Sequence, residues 1–254
     1  MACTKDVERK SAETAYVGWS AAAVLRLIWA IASLFVVESL VFGLAVLPAV
    51  VFWQWHLGWD LSVEVLRIMV LAMAAIPTYF VFACSLMLLS AVTTRLLGWR
   101  TPARAELEIS AVDWPLLNWI RYTISTHLVR IFAGTFLRST PIWTAYMRLN
   151  GARLGRRVFV NSLDVMDHCQ LEFGDDVVIG AGVHLSGHTV ERGLVKTAPV
   201  VLGRGVTVGV DANVEIGVVV GAGTQIGALS AVPKYSKLDA ESTYVGIPAR
   251  KLER

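Results

Sequence analysis

The stretch 185–196, LSGHTVERGLVK, places His188, Glu191, Arg192 and Lys196 within twelve residues. An imidazole with an ordinary pKa near 6.5 accepts and returns a proton at neutral pH. Attack by an amine or hydroxyl on a thioester needs such a base, because the nucleophile sheds a proton as it adds. Glu191, three residues on, can fix the tautomer of His188, and Arg192 and Lys196 can meet a negative group on a substrate. A lone surface histidine suits the same residues equally well, and spacing alone leaves both readings open.

The stretch interrupts a regular pattern. From residue 202 the chain divides into hexads, LGRGVT, VGVDAN, VEIGVV, VGAGTQ and IGALSA, anchored at Leu202, Val208, Val214, Val220, Ile226 and Val232. Small or branched residues follow four positions after the first five anchors: Val206, Ala212, Val218, Thr224 and Ser230. Neither an amphipathic helix nor an alternating strand has this period. Hexad repetition predicts a parallel β-helix, one short strand and one turn per hexad, with glycines easing the corners. Upstream, anchors are expected at Leu154, Val160 and Met166, then after one extra residue at Phe173, Ile179 and Leu185. At about three hexads per turn, residues 150–254 make roughly four stacked coils. The stretch after Leu185 reads as a loop with His188 at its tip, and loops on rigid scaffolds tend to carry function.

The half of the chain before the coils is of another kind. Hydrophobic residues make up 55% of the 254 and charged ones only 17%, too apolar for an ordinary soluble domain. Residues 27–55 and 65–93 each exceed the roughly 20 apolar residues that cross a bilayer, so residues 1–105 read as a membrane anchor with two transmembrane helices. A signal peptide fits the first run poorly, since it starts late, runs long and lacks a small-residue exit. Lys5, Arg9, Lys10 and Arg26 precede the first span, and Arg95, Arg100 and Arg104 follow the second. The 56–64 link has neither Lys nor Arg. Both termini are therefore expected on the cytoplasmic side of a bacterial-type inner membrane, with the β-helix domain there. Glu38 interrupts the first span, where an ionisable group must face protein or water, and Pro48 and Pro77 predict kinks. Residues 106–149 mix Trp114, Trp119, Trp143 and Tyr146 with Arg121, Arg130, Arg138 and Arg148, which predicts amphipathic helices lying in the interface. Cys3, Cys84 and Cys169 offer no disulfide framework. The net charge of +3, with its positives near the membrane, points to lipid headgroups and away from nucleic acid.

Particular motifs carry a likeness. LEFGDDVVIGAGV, the Gly187–His188 step, IGALSAVPK (226–234) and GIPAR (246–250) resemble the hexapeptide-repeat acyltransferases, a left-handed parallel β-helix family that includes galactoside and maltose acetyltransferases. The resemblance implies that His188 is the general base and that Asp167 and His168 lie at the acceptor site. It further implies that Ala228, Ser230, Lys234 and Arg250 line a coenzyme A channel, and that the protein is a homotrimer. Leu229 departs from the family's IGAGS block and is expected to narrow that channel. The two spans, MRLNGARLG and GHTVERGLVK together resemble the membrane-bound C-terminal units of ε-poly-lysine synthetase-type peptide synthetases. That likeness implies aminoacyl transfer, with a phosphopantetheinyl carrier protein and an adenylating enzyme as partners of a stand-alone unit. Two rival readings stand beside it: a non-catalytic membrane scaffold, and a zinc-dependent β-helix enzyme using His168, His184 and His188. His184 lies only four residues before His188, which is not the zinc branch's spacing, so no metal is expected.

Overall fold

The computed structural model describes residues 19–59 and 64–253. Lys5, Arg9, Lys10 and Cys3 lie outside the described residues, as do positions 60–63 of the link between the spans.

Helix α1 (Ala21–Leu57) starts where the Ser20 hydroxyl caps the Ala23 N–H at 3.2 Å, and helix α2 (Glu64–Leu96) folds back against it. Both are long and apolar enough to cross a membrane. At 37 and 33 residues they measure about 55 and 50 Å, well beyond the ~30 Å of a hydrocarbon core. Leu25, Phe35, Leu40, Met73 and Ile76 stand exposed along them, while Val41, Ala45, Ala83, Leu86 and Met87 are buried.

The following segment is only partly helical. Residues 106–108 form a strand, β1 (Glu106–Glu108), where the sequence predicts helix. Helix α3 (Trp114–Val129) begins at Asp113, whose carboxylate accepts from the Leu116 N–H at 3.0 Å, with Pro115 in its first turn. It runs directly into a five-residue π-helical turn, Arg130–Gly134. Helix α4 (Pro141–Leu149) is capped by Thr140 and opens on Pro141, a position that needs no N–H. Trp143 and Tyr146 were expected at headgroup depth, yet both are fully buried. The physical reason is packing. One apolar cluster runs without a break from Val41 and Leu86 through Trp143, Tyr146 and Met147 into Val160, Phe173 and Leu185, so α4 is the plug between the helical hairpin and the coils.

The coils have three faces of parallel strands. Leu154, Phe173, Leu202, Val220 and Leu238 stack on one, and Val160, Ile179, Val208, Ile226 and Tyr244 on the second. Leu185, Val214 and Val232 stack on the third. There the fourth rung is Val165, bridging Leu185, and not Met166. The chain reaches this rung after five residues instead of six, and takes a 3-10 turn, His168–Gln170, before the next anchor. The corners need left-handed backbone, which Gly205, Gly217 and Gly223 supply, but Asp176, Asp211 and Leu229 also adopt it. Leu229 is therefore an exposed corner residue.

Candidate active site

After Leu185 the chain leaves the coil as a hairpin. Strand β2 (His188–Glu191) pairs antiparallel with β3 (Leu194–Thr197) through a turn in which Arg192 and Gly193 both have positive φ. Strand β1 adds itself to the outer side of β3, Leu107 opposite Val195. The expected loop is thus a three-stranded sheet, and His188 stands at its base, not at its tip. Gly187 allows this. A Cβ there would lie 2.6 Å from that of Gln170 and 2.9 Å from that of Asp167.

The imidazole meets a carboxylate at that base. Asp167 Oδ2 lies 2.5 Å from His188 Nδ1. Asp167 is buried and enters the 3-10 turn with φ of +54°, aiming its carboxylate along the base of the hairpin. Its Oδ1 accepts from the Thr101 hydroxyl at 2.6 Å, and Oδ2 also accepts from the Gly187 N–H at 3.1 Å and the Ser186 hydroxyl at 3.3 Å. Burial alone would raise this carboxyl's pKa, but the bonds from His188, Thr101 and Ser186 outweigh it, and the pKa falls below the ordinary value. For His188, burial acts to lower the pKa and the adjacent Asp167 carboxylate raises it, with a net rise. Trp119 stands edge-on to the ring at 5.0 Å between centroids. A void of about 10 Å³, room for about one water, lies beside the dyad, lined by Tyr122, Thr123, Thr126, Arg130, Met166, Asp167 and His188. A buried carboxylate on Nδ1 fixes the neutral tautomer with Nε2 as the acceptor, the arrangement of an oriented general base.

Glu191 does not take the part expected of it. On a strand, three residues span about 10 Å and end on the opposite face, so Glu191 points away from His188. Its carboxylate binds Lys234 Nζ at 2.7 Å and Lys196 Nζ at 3.0 Å, and these two ammonium groups pull its pKa down to about 2. Lys196 also faces Glu106 at 3.5 Å. Lys234 thus fastens the hairpin to the coils, while Lys196 ties the hairpin's two strands together and to β1. Arg192 is exposed at the hairpin turn. His168 is buried edge-on to Trp143 and Tyr146, burial drives its pKa down to about 4, and it faces no cavity wall of the dyad. The 3-10 turn explains this, since it points Asp167 and His168 to opposite sides. His184 lies exposed on the third face. Among the described residues no three His, Cys, Asp or Glu side chains, His168, His184 and His188 included, converge as metal ligands.

In the last coils, Ala228 and Arg250 are exposed, whereas Ser230 is buried and accepts from the Gly246 N–H at 3.1 Å. Ser230 therefore braces the coil from inside. Sequence reasoning missed Thr101, Ser186, Trp119 and Arg130. Ser186 directly precedes the Gly187–His188 step and was within reach of inspection. Thr101 lies 66 residues from Asp167 and carries no local signal.

No family model matches the chain. A stretch of 143 residues is 24% identical to delta-poly-L-ornithine synthetase of Acinetobacter baumannii, covering 55% of this chain but only 11% of that protein. Among solved structures, a hexapeptide-repeat acetyltransferase of Vibrio cholerae, complexed with acetyl coenzyme A, is 23% identical with a TM-score of 0.37, over 41% of this chain and 60% of that one. Galactoside acetyltransferase in complex with coenzyme A is 20% identical with a TM-score of 0.40, over 52% and 80%. Serine acetyltransferase of Brucella abortus is 18% identical with a TM-score of 0.36, over 69% and 57%. Solved structures that the chain resembles are thus acetyltransferases, hexapeptide-repeat ones among them, and a curated protein that it resembles is a poly-ornithine synthetase.

Proposed function

We propose that the chain is a membrane-anchored acyl- or aminoacyltransferase on a left-handed β-helix. The observation that carries this reading is the Asp167–His188 dyad, a buried carboxylate 2.5 Å from Nδ1 of an imidazole that is itself partly exposed. His188 Nε2 takes the proton from an acceptor amine or hydroxyl as that atom attacks a thioester carbonyl. The tetrahedral intermediate collapses, the C–S bond breaks, and the proton passes to the departing thiolate. Asp167 holds the tautomer and supports the transient imidazolium. The donor is an acyl thioester of coenzyme A or of a phosphopantetheinyl carrier protein, and the exposed Ala228 and Arg250, with the half-buried Lys234, are the residues to test as its contacts.

In this reading α1 and α2 cross the inner membrane, the coils face the cytoplasm, and the assembly is a homotrimer, which light scattering in detergent checks. An aminoacyl donor, supplied by an adenylating enzyme through a carrier protein, agrees with the poly-ornithine synthetase likeness. The test is thiol release from acetyl coenzyme A and from carrier-bound aminoacyl thioesters, in the presence of amine and hydroxyl acceptors. Release that depends on acceptor and is lost in His188→Ala supports transfer. Release that is unchanged in the variant contradicts it, and a protein that binds no thioester would be the scaffold.

A further inference from the structure

On leaving α2 the chain passes the dyad before it pairs as β1. Gly98, with φ of +68°, ends the helix, and the Trp99 N–H closes the last turn on the Thr94 carbonyl at 2.8 Å. Trp99 is buried beneath the Arg121 guanidinium, 5.4 Å from its ring centre. Pro102 disfavours helical backbone at Thr101, and residues 99–105 run as an irregular strap toward β1. One side of the strap grips the 3-10 turn. The Thr101 hydroxyl donates to Asp167 Oδ1 at 2.6 Å, and the Thr101 carbonyl accepts from Gln170 Nε2 at 3.1 Å. The other side grips the hairpin. The Pro102 carbonyl accepts from the Thr197 hydroxyl at 2.6 Å, the Ala105 N–H donates to that hydroxyl at 2.9 Å, and the Ala105 carbonyl accepts from the Thr197 N–H at 2.9 Å. Thr197 is the residue opposite His188 in the pairing of β2 with β3. Residues 101–105 therefore hold the turn that presents Asp167 at a fixed separation from the strand position that faces His188.

The Thr101 hydroxyl also decides how the carboxylate is turned. With Thr101 on Oδ1, and the Gly187 N–H and the Ser186 hydroxyl on Oδ2, each oxygen has its own donors, and rotation of the group would break those bonds. Thr101 is 2% exposed and Asp167 4%, so without the hydroxyl Oδ1 would be a buried acceptor stripped of its donor, which favours a turned or shifted carboxylate. The same burial keeps Thr101 out of reach of any substrate. We propose that Thr101 is a positioning residue for the dyad, its hydroxyl holding Oδ2 of Asp167 against His188 Nδ1, so that the strap leaving α2 completes the site that the coils begin. This rests on the transferase reading, but its test reads the imidazole directly and does not require turnover.

Nitrogen NMR of the full chain in detergent, labelled at its histidine rings, reads which ring nitrogen of His188 carries the proton, with the signals assigned by their loss in His188→Ala. In the native protein above the titration of the ring, the proton should sit on Nδ1, facing Asp167. Thr101→Val keeps the volume and removes the donor. The form protonated on Nε2 should then gain about tenfold over the Nδ1 form, as loss of a charge-assisted hydrogen bond implies. In acceptor-driven thiol release kcat should fall about tenfold with KM unchanged, because Thr101 touches no substrate. Thr101→Ser, which keeps the hydroxyl, should return both quantities to the native values. Thr101→Ala also lacks the hydroxyl and adds no bulk, so it should match Thr101→Val and carries the same reading should the valine not fold. A tautomer ratio unchanged in these variants, a native His188 with no preference for Nδ1–H, or a Thr101→Ser protein that behaves as Thr101→Val would each overturn the assignment. Lost turnover with an unchanged tautomer ratio, or failure of both hydroxyl-free variants to fold, would make Thr101 a residue of the fold alone and overturn it equally. Should His188→Ala retain full thiol release, the transferase role of His188 falls while the tautomer result stands on its own.

Discussion

At the scale of residues, the central pair is a carboxylate that accepts four hydrogen bonds and an imidazole that supplies one of them. Asp167→Asn keeps the shape but offers an amide where His188 needs a carboxylate. Because the charge of Asp167 raises the His188 pKa, its loss must lower it. The pH midpoint of turnover should therefore move down, while the plateau rate falls. A midpoint that stays put or rises would contradict the pairing. Glu191 makes the contrasting case. Its pKa is lowered by Lys234 and Lys196, so its stabilising effect is present above the ordinary carboxylate range and disappears as pH falls through about 2. Glu191→Gln should flatten acid unfolding across that window and leave the pH–rate midpoint unchanged, which acid titration by circular dichroism and kinetics will separate. The break that carries His188 was legible because the Gly187–His188 step interrupts the hexad beat. Asp167 was legible as a site residue but not as the partner of His188, since the 3-10 turn that aims it has no sequence signature. Glu191 was misread because nearness in sequence becomes distance on a strand.

At the scale of elements, the hairpin is held against the coil by close approach. Gly187→Ala places a methyl carbon 2.6 Å from Gln170 Cβ and 2.9 Å from Asp167 Cβ. Something must move, and overpacking of this kind costs about 1–3 kcal/mol. The dyad should open with it, so denaturant unfolding should show lower stability and kinetics a loss of turnover together. Unchanged values for both would mean that the base of the hairpin is softer than its contacts indicate. The coils themselves were readable from the hexads, whose period belongs to no other regular structure. The rung at Val165 was not, because Val165 and Met166 are adjacent apolar residues and only the pairing with Leu185 chooses between them. Strand β1 was hidden for a related reason. Its three residues have no pattern of their own, and their conformation comes from the exposed edge of β3.

At the scale of the molecule, the buried cluster that joins the helical hairpin to the coils makes them one packed body. In the proposed topology, their orientation across the bilayer decides which thioesters the dyad can reach. A cysteine introduced in the 56–64 link should react with an impermeant thiol reagent applied outside intact cells, and reaction only after lysis would reverse the orientation. The two long apolar helices were readable from apolar run length, but the burial of Trp143 and Tyr146 was not, because a helix beneath a membrane and a helix inside a core share one composition. The most direct test of the whole account is the pH dependence of acceptor-driven thiol release by the protein in vesicles. The native rate should rise with pH through a single titration centred above the ordinary histidine value, since Asp167 raises His188. His188→Ala should lose about 10²–10⁴-fold in rate and with it that titration. A His188→Ala protein that keeps both the rate and the profile would contradict the assignment of His188 as the base.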